Sequence, residues 1–556
     1  MPTTMPCRLH RLSTKESIPM MILDSRQLYP MTGGIQLNTH RGTALESAPL
    51  TLPRPSKLTF ELKTKYARFV PAVKEGEEIQ AGQIIARHIQ RLNKLVIRSH
   101  FAGRVMKVAP DTIQLETLEQ SPQTAQALKQ AQSLQELSNM IADAGILGLG
   151  GAEFPTFAKL GKYIQTLIIN GIECEPMLTA DACLMTHYAD QLLPGIEALK
   201  QHLPLSKIII AVESDKPLAV ERLKQALHDQ DVQLAVIPTQ YPAGGSRQLF
   251  EQLYGYRLGA QERLKDRHIM SINIQTLHAI GQALAGKPMT QRLVTLAGTA
   301  LLMPANYWIP LGTPIKHLLN TLNITQDVEI IRGGPLMGVQ STPTDTIQAG
   351  TSAVLFNLPQ AQQQEKPCIE CGDCLAPCPE ALLPQTFVHY TQDKPTGSPE
   401  ADEALTALNI NACIECGLCD LVCPSHIPMS KQFAQAKKRI AEATEKHQRA
   451  EAARLKYEAR QARLAQPKKA NPMPVKAATA RPRPAVARRT QSPATKFKSA
   501  LAKAQRLARE AQAALAQAEK KQLDEETLQM YRDRVAQMQA KAEKAQADYA
   551  AAQAKE

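Results

Sequence analysis

Eight of the eleven cysteines fall into two runs with the same spacing, C-x2-C-x2-C-x3-C-P. The first run contains Cys368, Cys371, Cys374 and Cys378, and the second contains Cys413, Cys416, Cys419 and Cys423. Three thiolates two residues apart can surround one face of a 4Fe–4S cube, while backbone N–H groups of the tight loop point at its sulfurs. The fourth ligand must then come from elsewhere in the chain. The spacing therefore indicates iron–sulfur chemistry, which is the transfer of single electrons.

The distal cysteine of each run is expected to ligate the cluster of the other run, as it does in two-cluster ferredoxins. This assigns one 4Fe–4S cluster to Cys368, Cys371, Cys374 and Cys423, and the second to Cys413, Cys416, Cys419 and Cys378. A pair of zinc sites is the alternative, but zinc sites use two well-separated ligand pairs and need no C-P ending. Between the runs, ADEALTALN predicts a helix, so a helix-rich module is expected. Such a module binds no organic substrate, and substrate chemistry must lie upstream.

A glycine-rich stretch stands upstream, AGILGLGGAEFPTFAKL at residues 144–160, followed by TLIINGIECEPMLTADACLM at residues 166–185. The pattern predicts a helix over SLQELSNMIADAG, a glycine loop, a second helix, and a buried strand, TLIIN, that ends in a polar turn. A dinucleotide motif would need glycine at Glu153, and no P-loop is present. Gly148, Gly150 and Gly151 can still direct N–H groups and a helix N-terminus at a phosphate. A purely structural glycine loop is the alternative.

These motifs taken together resemble a known arrangement. GLGGAEFPTFAKL and NGIECEP, with the doubled cysteine run behind them, resemble the FMN- and NADH-binding subunit of respiratory complex I. The resemblance is closer still to the C component of the Rnf/Rsx ion-translocating electron transport complexes, from about residue 30 to about residue 430. Over that length GGIQL, YPAGGSRQL, RLVTLAG, LGTP and GGPLMG follow in the same order.

The resemblance implies a multidomain α/β protein. Its expected parts are an N-terminal extension (1–50), a lipoyl-like barrel-sandwich (51–115), a Rossmann-like FMN/NADH domain (120–288), an SLBB β-grasp domain (289–358), a helical two-cluster ferredoxin module (359–430) and a basic, charged, helical or disordered tail (431–556). The barrel-sandwich is also indicated by glycine turns between short β-branched strands in VKEGEEIQAGQIIA and VIRSHFAGRVMKV. Leu92 stands where a swinging-arm domain would present its lysine, which predicts a scaffold without lipoate or biotin.

The resemblance also implies noncovalent FMN and a set of cofactor-binding residues. The FMN phosphate would be cradled by Gly148, Gly150 and Gly151, with Lys159 facing it, and its other side would be closed by Asn273 and Thr276. The ribityl chain or ring would be contacted by Asn170 and Glu173. NADH or NAD+ would be held against the flavin by Phe154 and Glu175. The alternatives are a core position for Phe154, a strand cap for Asn170 and solvated turn carboxylates for the two glutamates. Complex I has Arg at position 149, Gly at position 153 and an acidic pair at Gly245 and Ser246. Because that pair helps to position the nicotinamide, its loss bears on NADH binding.

The charge of the chain is unevenly distributed. Residues 431–556 hold 29 of the 65 Lys and Arg residues but only 13 of the 52 Asp and Glu residues, so the remainder is nearly neutral. A basic tail can approach an anionic membrane surface, although a solvated charged tail is the alternative. Nucleic-acid binding is not expected, because the tail lacks aromatic interleaving and any DNA-reading motif. No apolar run reaches the roughly 18 residues of a membrane span, and the N-terminus lacks an apolar signal core, so a cytosolic chain with reduced cysteines is expected.

The combined expectation is a translocase-type oxidoreductase subunit, peripheral on the cytoplasmic face of the bacterial inner membrane. It would pass electrons between NADH, FMN, two 4Fe–4S clusters and the other subunits of an Rnf/Rsx-type complex, including a ferredoxin-like subunit. One alternative is the diaphorase subunit of a soluble hydrogenase or formate dehydrogenase, which the lipoyl-like N-terminus and the doubled cluster motif disfavour. An alternative from another class is a noncatalytic assembly or RNA-binding protein that acts through the basic tail.

Overall fold

The computed structural model describes most of the chain. It covers residues 22–23, 27–37, 47–89, 95–119, 131–228, 231–259, 262–360, 363–393, 398–465 and 525–554, with scattered positions between 501 and 519. The prediction for the hairpin position at Leu92 lies outside the described residues. Two compact units are present, one up to Ala459 and one from Arg460.

Two short strands, β1 (Ile22–Leu23) and β2 (Leu50–Thr51), each join a sheet of a later domain. They are followed by an N-terminal β-module with the strands β3 (Lys57–Glu61), β4 (Phe69–Pro71), β5 (Glu78–Ile79), β6 (Ile84–His88), β7 (Val96–Arg98), β8 (Gly103–Val108) and β9 (Thr112–Thr117). These form a four-stranded sheet, β3-β9-β8-β5, and a three-stranded sheet, β4-β6-β7. Leu58, Ile85 and Leu115 are buried in a core that continues into the next domain, so the module is packed onto its neighbour.

The parallel-sheet domain alternates strands with helices. Its elements are α1 (Leu134–Asp143), β10 (Thr166–Gly171), α2 (Ala180–His187), α3 (Leu193–His202), β11 (Lys207–Glu213), α4 (Pro217–Ala226), β12 (Gln233–Ile237), α5 (Ser246–Tyr254), β13 (Ile269–Asn273) and α6 (Ile274–Leu284). The sheet order is β1-β12-β11-β10-β13, with every pair parallel. Leu167 and Ile169 face one core and Ile168 faces the other, as expected of a parallel sheet covered on both sides.

The predicted helix before the glycine loop and the predicted strand TLIIN are confirmed as α1 and β10. The second helix predicted after the loop is wrong. Only a four-residue 3-10 turn, Thr156–Lys159, follows the loop, and Leu160 is already extended. Pro155 before the turn and Gly161 after it leave too few residues for an α-helix. The helix N-termini nearest this part of the sheet are instead those of α2 and α6.

The mixed-sheet domain consists of β14 (Gln291–Ala297), β15 (Ala305–Pro310), α7 (Ile315–Thr321), β16 (Glu329–Arg332), β17 (Val339–Ser341) and β18 (Ala353–Asn357). Its six-stranded sheet has the order β17-β16-β18-β14-β15-β2 and combines parallel and antiparallel pairs. Val294 and Leu296 of β14 pack inside this domain, while Leu293 belongs to the core of the parallel-sheet domain. One strand therefore joins the two domains.

The cysteine module contains the short helices α8 (Pro384–Val388), α9 (Pro399–Ala407) and α10 (Leu418–Leu421), and is followed by the long helix α11 (Met429–Ala465). The helix predicted over ADEALTALN is confirmed as α9, with Ser398 as its N-cap. Short 3-10 or π turns also occur at Ala189–Leu192, Leu264–Arg267, His389–Asp393 and Ile410–Ala412. The unit from Arg460 includes α12 (Glu525–Gln553). Among the helices of the described residues, none combines the length and apolarity needed to cross a bilayer.

Candidate functional site

The eight cysteines of the two runs line two separate cavities. The cavity that we name the outer cavity is lined by Cys368, Cys371, Cys374 and Cys423. The inner cavity is lined by Cys413, Cys416, Cys419 and Cys378. Each cavity thus combines three cysteines of one run with the distal cysteine of the other, which is the crosswise grouping expected from the spacing.

The two runs share a local backbone geometry. Glu370 and Glu415 occupy equivalent places and both have left-handed φ values, 56° and 58°. At the second of these turns the Glu415 N–H donates to Cys413 Sγ at 3.4 Å. Beyond the first run, the Leu382 N–H donates to Cys378 Sγ at 3.3 Å. The described residues contain no group of three Cys, His, Asp or Glu side chains that could hold a single metal ion.

Solvent access differs between the cavities. Cys368 and Cys371 are exposed, whereas Cys416 is buried and the other three cysteines of the inner cavity are half-buried. Burial raises the pKa of the Cys416 thiol to about 11 and raises the pKa of Cys413 as well. A thiolate at these positions therefore needs a metal cation to stabilise it, as bound iron would do.

The glycine loop lies at the carboxyl edge of the parallel sheet. The Gly148 N–H donates to Phe154 O at 2.9 Å, and the Leu149 N–H donates to Thr276 Oγ1 at 2.9 Å. These bonds close the loop and tie it to the start of α6. At Gly151, whose φ is +89°, an added Cβ would meet nothing within 4 Å. The loop therefore presents an open, side-chain-free face on which a phosphate group can approach the backbone.

Asn273 and Thr276 are held by their neighbours at the same edge. Asn273 pairs with Asn170 across the β10–β13 ladder and caps α6 by accepting from the Gln275 N–H at 2.9 Å. Its Nδ2 donates to Asp181 Oδ2 at 2.5 Å, and Gln275 Nε2 donates to Asp181 Oδ1 at 2.8 Å. Burial raises the pKa of Asp181, against the effect of these two amide donors. Asp181 thus orients Asn273, and its only signal in the sequence is an acid within the apolar stretch TADACLM.

Asn170 and Glu173 shape the turn after β10. Asn170 Nδ2 donates to Gly244 O at 2.8 Å, and its Oδ1 accepts from the Ile172 N–H at 3.0 Å. Glu173 is buried, and its Oε2 accepts from the Asp181 N–H at 3.1 Å in the first turn of α2. A carboxylate at a helix N-terminus is favoured by the free N–H groups and the helix dipole. Both side chains lie in the crevice where open α/β sheets bind ligands.

Lys159 and the two residues expected to bind the dinucleotide make other contacts. Lys159 Nζ donates to Ser271 O of β13 at 2.9 Å, and burial lowers the pKa of this lysine. Phe154 lies 5.3 Å from the Tyr66 ring of the N-terminal β-module, edge to face. Both carboxylate oxygens of Glu175 accept backbone N–H bonds, from Leu336 at 3.0 Å and Met337 at 3.1 Å. Glu175 therefore also holds the mixed-sheet domain in place.

At two positions where the sequence departs from that of complex I, the residues present here fit contacts with other parts of the chain. Glu153 Oε1 accepts from the Gly350 N–H at 2.8 Å, so this glutamate connects the glycine loop to the mixed-sheet domain. Gly245 precedes α5, and a Cβ there would overlap Gln248 Oε1. Gln248 in turn donates from Nε2 to Glu380 Oε1 at 2.7 Å. A glycine at position 245 thus accommodates a side chain that binds the cysteine module.

The cysteine module is joined to the parallel-sheet domain beside the inner cavity. Glu380, which is buried, accepts from Gln248 and forms ion pairs with Arg247 at 3.3 Å and Arg257 at 3.4 Å. The Tyr241 hydroxyl, also buried, donates to the backbone oxygen of Cys416 at 2.7 Å. Cys174 contacts this same apolar cluster around Tyr241 and Cys416. Sequence reasoning missed Glu380 and the role of Tyr241.

Comparison with known families agrees with this division. Residues 141–282 match the family model described as the Nuo51 FMN-binding domain, and residues 364–427 match the 4Fe-4S dicluster domain. The chain is an oxidoreductase-type subunit for electron transfer. Its cofactors are FMN and two 4Fe–4S clusters. The residues present fit both groups, because the loop at Gly151 is open to a phosphate and each cavity offers four cysteines.

Two solved structures have a weaker likeness. The NAD+-reducing [NiFe]-hydrogenase in the H2-reduced state is 16% identical, with a TM-score of 0.38, and the match covers 56% of this chain and 61% of that one. The same enzyme in the air-oxidized state is 17% identical, with a TM-score of 0.35, and the match covers 51% and 53%. The chain thus spans less than two thirds of the length of the chains that it matches.

Proposed function

We propose that the chain is a peripheral electron-transfer subunit of an Rnf/Rsx-type ion-translocating complex. In this role it exchanges electrons with NADH or NAD+ at the FMN site and with a ferredoxin-like or membrane flavin subunit at the cluster site. Ion movement is assigned to partner subunits in the membrane. The chain lies on the cytoplasmic face of the bacterial inner membrane, and its basic C-terminal residues favour an anionic lipid surface.

The cofactor site is built from this chain's own residues. The open backbone at Gly151 receives the phosphate of FMN, Lys159 adds a cation near it, and Asn273, fixed by Asp181, closes that side. Asn170 and Glu173 set the turn beside the ribityl chain and ring. When bound, FMN supplies the exchange between two-electron and one-electron chemistry, and the clusters supply one-electron carriers.

The single observation that carries the proposal is the hydrogen bond from Tyr241 to the backbone oxygen of Cys416. Tyr241 belongs to the FMN-binding domain, and Cys416 lines the inner cavity. The inner cavity is therefore contiguous with the flavin domain, while the outer cavity has exposed cysteines. This order supports an internal route from the flavin domain through the inner cavity to the outer cavity and a partner.

Anaerobic reconstitution followed by NADH titration tests the proposal. Loss of flavin absorbance together with a reduced-cluster paramagnetic signal is the expected result. Reduction by dithionite but not by NADH would support the redox chain but remove NADH as its substrate. The absence of the acidic pair at Gly245 and Ser246 bears directly on this outcome, because that pair helps to position the nicotinamide in complex I. Co-purification with integral membrane subunits is expected. Co-purification with a soluble hydrogenase or formate dehydrogenase would assign the chain to that class instead.

A further inference from the structure

The cysteines of the outer cavity are more exposed than those of the inner cavity. Cys368 and Cys371, two of the four in the outer cavity, are exposed. Ile369 lies between them with 66% of its surface exposed, and Leu375 after Cys374 is 37% exposed. Exposed aliphatic side chains beside a redox site can serve as the apolar centre of a docking surface.

The charged residues nearest this apolar centre in the sequence are acidic, apart from Lys366. Glu370 and Asp373, both exposed, flank it and have no cationic partner among the described residues. The only lysine or arginine between positions 363 and 393 is Lys366. The other residues that line the outer cavity, Gln385, Pro424, Ser425 and Met429, carry no charge. Between residues 364 and 427 the sequence contains ten acidic residues but only two lysines and no arginine.

The acids on the side of the inner cavity are paired instead. Glu380 is neutralised by Arg247 and Arg257, and Glu415 pairs with Lys437. The module therefore satisfies its carboxylates within the chain near the inner cavity but leaves Glu370 and Asp373 facing solvent near the outer cavity. Uncompensated charge around an apolar centre steers a partner of the opposite sign and sets its orientation.

We propose that this outer face, defined by Cys368, Ile369, Glu370, Cys371, Asp373 and Leu375, docks a one-electron redox protein that presents a basic rim around an apolar contact. The inference rests on the proposed electron-transfer function and adds the chemistry of the partner. An acidic carrier would be repelled at this face. Per encounter, one electron leaves a reduced cluster of the outer cavity and one oxidised centre of the partner gains it, with no proton transferred.

A cytochrome c with a lysine-rimmed haem edge is the cationic probe, and ferricyanide is the anionic probe. The full-length holoprotein is photoreduced anaerobically with a stoichiometric donor, and oxidation by each probe is followed in a stopped-flow spectrometer. Between about 20 and about 200 mM salt, the rate with cytochrome c is expected to fall about tenfold, because screening removes the steering. The rate with ferricyanide is expected to rise over the same range.

The variant Glu370→Gln/Asp373→Asn keeps the shape of both side chains and removes both charges. At low salt it is expected to lower the rate with cytochrome c by about fivefold and to raise the rate with ferricyanide. The matched control is Glu400→Gln/Glu403→Gln, which removes two exposed charges from α9, outside both cavities. It is expected to change either rate by less than about twofold. Iron content and both cluster signals must match the wild type in each variant.

Ile369→Ser tests the apolar centre and is expected to lower the rate with cytochrome c at high salt as well. A rate with cytochrome c that is independent of salt, or equal effects of the Glu370/Asp373 and Glu400/Glu403 variants, would overturn the proposed face. Because the assay begins with photochemically reduced protein, it needs neither NADH nor membrane subunits. A failure here is therefore distinguishable from a failure of the NADH titration.

Discussion

Cys371 and Cys416 occupy equivalent positions in the two cysteine runs, yet their surroundings differ. Cys416 is buried and its backbone oxygen accepts from Tyr241, whereas Cys371 is exposed. Glu380 and Glu415, near Cys416, are paired with arginine or lysine, whereas Glu370 and Asp373, near Cys371, have no such partner among the described residues. The comparison teaches that spacing selects the cofactor, while residues far away in the sequence decide whether its site faces another domain or solvent.

The largest effect is expected from replacing the distal cysteine of either run with serine. Cys378→Ser removes a ligand of the inner cavity and Cys423→Ser removes one of the outer cavity, so each variant should lose the cluster of the other run. Iron should fall from about eight to about four atoms per chain, with a different cluster signal lost in each case. Iron analysis and paramagnetic resonance provide the measurement. Loss of the signal from the same run would contradict crosswise ligation.

The second-largest effect is expected from metal removal, which should distinguish the cluster of the outer cavity from that of the inner cavity. Because Cys368 and Cys371 are exposed, an iron chelator is expected to take the outer cluster first, at a stage when about half of the iron remains. The surviving signal should be the one that Cys378→Ser abolishes, which serves as the reference. Simultaneous loss of both signals would mean that exposure does not distinguish the two sites.

A smaller effect is expected at the buried carboxylate between the domains. Glu380→Gln leaves Arg247 and Arg257 without their anion, at a cost of about 2 kcal/mol, since the arginines remain partly exposed. The midpoint of denaturant-induced loss of the inner cluster's absorbance should therefore move to a lower concentration. Glu403→Gln, an exposed change in the same module, should stay within about 0.5 kcal/mol of the wild type. Equal shifts in the two variants would show that Glu380 does not hold the module.

The smallest effect is expected for the tyrosine hydroxyl. Tyr241→Phe keeps the ring and removes a hydrogen bond of about 1 kcal/mol to the Cys416 backbone, so the inner cluster's potential should shift by at most about 40 mV. The outer cluster's potential and the FMN content should not change. Tyr256→Phe, at an exposed tyrosine, is the control. A redox titration that moves both clusters equally would argue against a local contact.

Features set by neighbouring residues could be predicted from the sequence. The helix α1, the strand β10, the helix α9 and the repeated turn at Glu370 and Glu415 all follow from local patterns. The family models agree with the FMN and iron–sulfur cofactors predicted from the motifs. The assignments of individual FMN and NADH residues stay predictions. Local pattern also misled in one place, where Pro155 and Gly161 reduced the expected helix to one 3-10 turn.

The remainder depends on contacts between residues distant in sequence. Gln248 and Glu380 are separated by 132 positions, and Tyr241 and Cys416 by 175. No periodicity or spacing reports such a pair, because each partner alone resembles an ordinary polar or aromatic residue. Asp181 was missed for the same reason, since its partner Asn273 lies 92 positions away. Tertiary packing, which brings these side chains into the dry space between domains, gives them their roles.

Gly245 is coupled through Gln248 to the junction between the parallel-sheet domain and the cysteine module. Any side chain at position 245 must displace Gln248, and that displacement frees one of the three groups that hold Glu380. Homologous chains that carry an acidic residue at position 245 should therefore place the side chain at position 248 differently. A graft of the nicotinamide carboxylates of complex I onto this scaffold should include a substitution at position 248.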